Sequence, residues 1–271
     1  MGMDLLLFLA AAIVIFAARF MKSKSTTLSQ ERRDVSALLV FNAATVGDIH
    51  NFAILLRPFY LTGKVTQEES SGLDDSSKWT YDLESTMVKS LAELMPIVAL
   101  GRPGEAIGVG RILTDESTWK TAAAELMFRA SLIFCIPSAH PGTAWELEQI
   151  VQNRYLGKTV FFMPLVVKSF SHLQEQRNDW NLVVELMGRH GIPVPHYREV
   201  PPNNRTELGY TLANLGLLLH DLRAAHWRVA PQRIKSAGLL FSVKPEGKHI
   251  EEDIDLRYPE MLRDAIKRMT S

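Results

Sequence analysis

The residues suited to chemistry are few. Glu146 stands one residue after an indole, in the run Gly142-Thr143-Ala144-Trp145-Glu146-Leu147. A glutamate beside a ligand cleft can stabilise an oxocarbenium-like transition state, as carboxylates do in glycosidic cleavage, or orient the ribose hydroxyls of a nucleotide. A plainer account is equally open. A carboxylate near the amino end of a helix also serves as a dipole partner, and that role fits Glu146 and Glu148 alike. Trp119 and Trp145 could stack on a base or fill a core. His140, just upstream, is either an acid or base or a solvated loop histidine.

A second group of residues suits an anion. The run Gly101 to Arg111, GRPGEAIGVGR, places Gly101, Gly104, Gly108 and Gly110 directly after an apolar stretch. This spacing is neither the dinucleotide fingerprint nor a P-loop, and no Lys-Ser/Thr pair follows. Glycines after a strand still let backbone approach a ligand closely, although a tight loop without a ligand reads the same way. Arg57, Arg102 and Arg111 fall near the ends of the first two expected strands, where a phosphate would suit them. Eight histidines are scattered without ligand spacing and there is one cysteine, so no metal site is expected. No G-x-S-x-G elbow is present.

These residues need a scaffold, and the central stretch Ser131 to Leu165 supplies one. Ser131 to Ile136 and Thr159 to Met163 are apolar runs without polar alternation, as in strands of a parallel sheet covered on both faces. Between them, Trp145, Leu147, Ile150, Val151 and Tyr155 have helical spacing over 143–155, closed by Gly157-Lys158. This is a βαβ unit. Its first loop, Ser138 to Gly142, would lie at the carboxyl end of a strand, where open α/β sheets bind ligands.

Further strands are expected at Phe52 to Phe59 and Ile97 to Leu100. Helices are expected at Tyr81 to Leu94 and at Ser117 to Ala130, the latter opened by a Ser or Thr cap. Gln67 to Lys78 has loop composition. Beyond Leu165 the signals predict a helix over Asp179 to Arg189 and a turn or short strand at His190 to Pro195. A long helix over Arg205 to Trp227, a strand over Gly238 to Val243 and a terminal helix over Tyr258 to Met269 follow. Alternating strands and helices predict an α/β fold with a parallel, flavodoxin-like sheet and right-handed crossovers.

At the amino end, Leu5 to Ala18 carries no polar residue, and its flanks extend the apolar length to about 20 residues. No basic residue precedes the run, whereas Arg19, Lys22 and Lys24 follow it, which disfavours a cleaved signal peptide. The charges place the bulk of the chain on the cytoplasmic side of an inner membrane, behind one transmembrane helix. The expected organisation is an anchor over 1–22, a juxtamembrane linker or helix over 23–50, an α/β domain over 51–168 and an α/β extension over 169–271. Val35 to Val46 is either a membrane-surface helix or the first core element.

The 271 residues and 46% hydrophobic content provide a substantial core. Lys+Arg and Asp+Glu balance at 30 each, which argues against a nucleic-acid surface. The single Cys135 lies inside an apolar run, excludes an intramolecular disulfide and fits a reducing compartment.

The Gly142 to Leu147 run resembles three groups of α/β proteins. In Toll/interleukin-1 receptor (TIR) domains a strand is followed by a loop, a Trp and a Glu-Leu helix start, and the glutamate is catalytic in members that cleave NAD. Nucleoside 2-deoxyribosyltransferases have a similar loop-to-Glu helix with a glutamate nucleophile. LOG-type phosphoribohydrolases carry P-G-G-x-G-T-x-x-E, to which Pro137 to Glu146 is similar with one extra residue. In this chain Ser138-Ala139-His140-Pro141 replaces their double glycine. The string LLRPF, VALGRPGE, GVGR, a Trp-led helix and W-E-L also resembles a group of bacterial membrane-anchored proteins over Phe52 to Leu165. The shared implication is chemistry at the N-glycosidic carbon of a nucleotide or nucleoside, with Glu146 catalytic and NAD or a related nucleotide as substrate rather than cofactor. Many TIR domains are scaffolds, so a non-catalytic nucleotide-sensing or self-associating module, a homo-oligomer at the bilayer, is the other expectation.

Overall fold

A computed structural model describes residues 29–47, 51–58, 66–69, 79–101, 108–164, 170–197, 238–244, 247–256 and 258–270. Nine strands and six helices fall within them. The helices are α1 (29–45), α2 (Leu83–Leu91), α3 (Trp119–Arg129), α4 (Pro141–Gln152), α5 (Phe170–Gly188) and α6 (Pro259–Thr270). The main sheet holds β1 (Ala53–Leu56), β4 (Ile97–Gly101), β5 (Gly110–Leu113), β6 (Leu132–Cys135), β7 (Thr159–Pro164), β8 (Gly238–Val243) and β9 (His249–Ile254). Its order is β5-β4-β1-β6-β7-β8-β9. A separate antiparallel pair is formed by β2 (Thr66–Glu69) and β3 (Trp79–Asp82), so part of the expected polar loop is a ribbon.

The α/β class expected from the sequence is present, but the sheet is mixed rather than parallel throughout. Strands β5, β4, β1, β6 and β7 are parallel, whereas β8 runs antiparallel to β7 and β9 antiparallel to β8. Numbered in chain order, the five parallel strands lie as 3-2-1-4-5, the doubly wound order, and not as the flavodoxin-like 2-1-3-4-5. The cause is β5. Its four residues follow β4 through a connection shorter than the dozen or so residues of a usual parallel crossover. At the far end, β8 is buried along its whole length, and Phe161 stacks on its cross-strand partner Phe241 with ring centroids 5.0 Å apart. Edge strand β9 carries His249, Glu251, Glu252 and Asp253, charges that suit a sheet edge facing water. Thus β8 and β9, both beyond residue 169, continue the same sheet.

Two apolar layers cover the sheet. On one face α1, α3, α4 and α5 contribute Ala37, Val40, Leu126, Leu147, Ile150 and Val183 to the core; on the other α2 and α6 contribute Leu83, Met87, Leu91, Leu262 and Ile266. Of the two alternatives for residues 35–46, one helix face is therefore a core element, and the described residues are helical from residue 29 on. Helix α3 is not held by a Ser or Thr cap. Asp115 Oδ1 accepts from the hydroxyls of Ser117 at 2.7 Å and Thr118 at 2.8 Å, and also from their backbone N–H groups at 2.8 Å and 2.9 Å, which together hold its carboxyl down at about 2. Among the described residues no helix is long and apolar enough to cross a membrane. Leu5 to Ala18 and Arg205 to Trp227 lie outside the described residues.

Candidate functional site

Strand β1 ends at Leu56 and passes directly into Arg57, whose side chain is buried. A buried guanidinium requires an anion, and Glu84 supplies it: Arg57 Nε donates to Glu84 Oε1 at 2.7 Å. Glu84 sits in the first turn of α2, where Asp82 caps the helix by accepting from Ser85 N at 2.9 Å. The second oxygen, Glu84 Oε2, accepts from Val109 N at 3.1 Å. One carboxylate thus ties the end of β1 to the segment entering β5. The ion pair lies in the dry interior, so removing either partner would strand the other.

That segment is also held from α1. Gln30 Oε1 accepts from Gly108 N at 2.9 Å, Gln30 Nε2 donates to Val109 O at 3.1 Å, and Asp34 Oδ1 accepts from Arg111 N at 2.8 Å. These contacts account for two of the glycines. A Cβ on Gly108 would lie 1.9 Å from Glu84 Oε2, and one on Gly110 would lie 2.5 Å from the carbonyl oxygen of Arg33. Gly101 faces the side chain of Arg111, which is buried. The expected glycine loop is therefore in part an edge strand, whose glycines admit neighbouring parts of the chain itself. Arg102 and Gly104 lie outside the described residues.

On the other side of β1, strand β6 ends at Cys135 and leads through Ser138 into α4, with Pro141 at the first helical position. The loop is fixed by α5. Asp179 Oδ1 accepts from Ala139 N at 3.0 Å and from Ser138 Oγ at 3.4 Å, and Ser138 Oγ accepts from His140 N at 3.1 Å. Asp179 was legible only as a helix start, because its partners lie 40 residues away in sequence. His140 is exposed. It and Trp119 both approach Gly142: a Cβ there would lie 3.7 Å from His140 Nδ1 and 3.8 Å from the Trp119 ring.

Glu146 lies in the second turn of α4, past the reach of an ordinary helix-dipole partner. It is only 8% exposed, and its Oε2 has no hydrogen-bond partner among the described residues. Burial pushes its carboxyl up from an ordinary 4.5 to about 8, against the opposing pull of the Arg57 charge. The neighbouring Cys135 thiol is raised as well, first by burial and then by Glu146. An unsatisfied buried carboxyl oxygen costs about 1–3 kcal/mol, and such groups concentrate where function retains them. Glu148, the other candidate for the dipole role, is only half-buried.

Arg57 and Glu146 therefore flank the junction where the chain leaves β1 to one side and β6 to the other. In doubly wound sheets this switch point is the ligand crevice. Compared with known proteins, the chain matches no family model, no curated sequence and no solved structure. The site stands on its own geometry.

Trp145 is separated from Glu146 by one helical step of about 100°, and it faces elsewhere. It meets Trp119 edge-on, with centroids 5.2 Å apart, and Lys120 Nζ lies 5.5 Å from the Trp145 ring. Trp145 lines an open groove of about 500 Å³ between α3 and α4 that also takes in Lys120, Phe128, Gln149 and Tyr155, but not Glu146. Of the two indoles, Trp119, the first residue of α3, is the one whose ring approaches Gly142 in the first turn of α4. Among the described residues no group of three His, Cys, Asp or Glu side chains is arranged to hold a metal.

Proposed function

We propose that the chain hydrolyses the N-glycosidic bond of NAD or a related nucleotide, with Glu146 as the catalytic carboxylate. The observation that supports this reading is the buried, unpartnered Oε2 of Glu146 at the switch point of the sheet. In the reaction the bond between the anomeric carbon and the base nitrogen breaks, and its electron pair leaves with the base. Positive charge grows on the anomeric carbon and ring oxygen, water adds its oxygen there, and the water proton is released. An ionised Glu146 facing that carbon stabilises the growing charge in a site of low dielectric. Because Glu146 rests largely protonated, a substrate carrying a cationic base favours the ionised form that the step requires. Trp119 and His140 stand where the base would enter.

Further parts of the proposal concern place. The apolar run Leu5 to Ala18, with Arg19, Lys22 and Lys24 behind it, would anchor the chain in an inner membrane and leave the domain in the cytoplasm. The resemblance to TIR-like and related glycosidic enzymes belongs here too, carried by the Trp145-Glu146-Leu147 helix start.

A second reading, a nucleotide-sensing or self-associating module without turnover, is favoured by one feature. Arg57 is engaged by Glu84 and two of the glycines are filled by neighbouring chain, so groups suited to phosphate are partly occupied. The two readings separate on incubating the full chain with NAD and a panel of nucleotides and measuring free base by chromatography. Release that vanishes in Glu146→Gln supports the hydrolase. Equal turnover in that variant removes Glu146 from the mechanism, and a nucleotide that raises the melting temperature without turnover supports the module.

A further inference from the structure

Helix α1 has two apolar faces, and the sheet uses one. Ala37, Val40 and Ala44 are buried, while Val35, Leu38, Leu39 and Val46 are between 50% and 71% exposed. Asn42 is exposed on the same side. Val35, Leu38 and Asn42 follow one another at the three- and four-residue steps of a coiled-coil seam, with Leu39 and Val46 beside it. A β-branched residue, a leucine and an asparagine at successive seam positions are the pattern of a parallel two-stranded pair, in which the asparagine sets register and partner number.

We infer that α1 pairs in parallel with α1 of a second copy of this chain through Val35, Leu38 and Asn42. Other modes of association are closed at the sheet edges. Gln30 and Asp34 bond the edge backbone leading into and along β5, and β9 presents charges. The bilayer itself fits the stripe poorly, because from Val35 to Val46 there is no Lys or Arg to meet lipid headgroups. The two arginines at the start of the helix, Arg32 and Arg33, are balanced by Glu31 and Asp34.

The chain preceding α1 strengthens the choice of a second copy. The apolar run ends at Ala18, eleven positions before residue 29, where the described part of the helix opens. Parallel alignment rests on the proposed anchor. Copies held in one membrane point the same way, and tethering raises their effective concentration. A helix of this length, about 26 Å, pairs weakly without such help.

The test uses the full chain in membranes, mildly oxidised and run on non-reducing gels. Wild type serves as the blank, since its only cysteine is buried. Covalent dimers are expected from Val35→Cys and from Asn42→Cys, and none above the blank from Ser36→Cys, which is exposed but off the seam. Adding Leu38→Glu to Asn42→Cys should return its band to the blank. No band from either seam variant, or an equal band from Ser36→Cys, overturns the interface. A band that needs Val35→Cys and Val46→Cys mixed overturns the parallel arrangement. Absence of a seam band combined with loss of vesicle binding in Leu38→Glu would make the bilayer the occupant and also refute the pairing. Alkaline washing of the same membranes scores the anchor separately. A chain that washes off yet cross-links at residues 35 and 42 keeps the interface and loses the anchor.

Discussion

Replacing Glu146 by Gln should shift stability in favour of the variant, relative to wild type, increasingly as pH rises. In the folded chain the carboxyl ionises at about 8, and in the unfolded chain near the ordinary 4.5. Between those values the unfolded state is ionised and the folded state protonated, so folding takes up a proton. Unfolding therefore becomes easier with rising pH, by about 1.4 kcal/mol per pH unit across the window. Below the lower value both states are protonated and the contribution is fully present; above about 8 both are ionised and the loss is complete. Glutamine does not titrate. Its amide adds a constant to the difference, because Oε2 has no partner to offer its new donors, but adds no slope. From about pH 5 to about pH 7, the stability of the variant relative to wild type should grow by roughly 3 kcal/mol. Urea unfolding of both proteins at several pH values gives the difference directly, with all other titrating groups cancelling. A difference that stays flat with pH would mean that burial does not hold the carboxyl protonated. The same variant should lose base release, a trade of stability against function that an active site commonly shows.

Three further outcomes follow from the network around β1. Arg57→Met leaves Glu84 buried without its cation and should cost about 3–5 kcal/mol, read as a fall in urea midpoint; a change within error would mean that water reaches the pair. Gly108→Ala sets a methyl group against the Glu84 carboxylate and should destabilise by about 1–3 kcal/mol, whereas alanine at the uncrowded Gly157 should be tolerated. Asp179→Ala removes two hydrogen bonds from the loop before α4. Under the hydrolase reading it should lower kcat while moving the melting temperature only by an amount matching about 1 kcal/mol; an unchanged kcat beside a large loss of stability would give Asp179 a purely structural role.

Much of the scaffold was legible in the sequence because it is written in local periodicity. The apolar runs that became β1, β4, β6 and β7 lack alternation because both faces of those strands are covered, and the spacing of Leu147 and Ile150 marks the buried face of α4. The βαβ unit and the loop before Glu146 follow from those runs alone. Glu146 itself could be named from its place after Trp145, but not its state. Whether a carboxylate one helical step from an indole points to water or inward depends on how α4 sits against the sheet.

The remaining features depend on contacts between residues far apart in the chain. Strand β5 hid within a glycine-rich run, since its backbone is completed by Gln30 and Asp34 from some 77–79 residues earlier. With β5 in place, the strand order became 3-2-1-4-5. The reversal at β8 and the short ribbon of β2 and β3 are likewise matters of pairing, to which single-strand patterns are blind. The missing partner of Glu146 Oε2 belongs to the same class. The side-chain type is a property of the sequence, whereas a hydrogen bond left unmade is a property of everything packed around it.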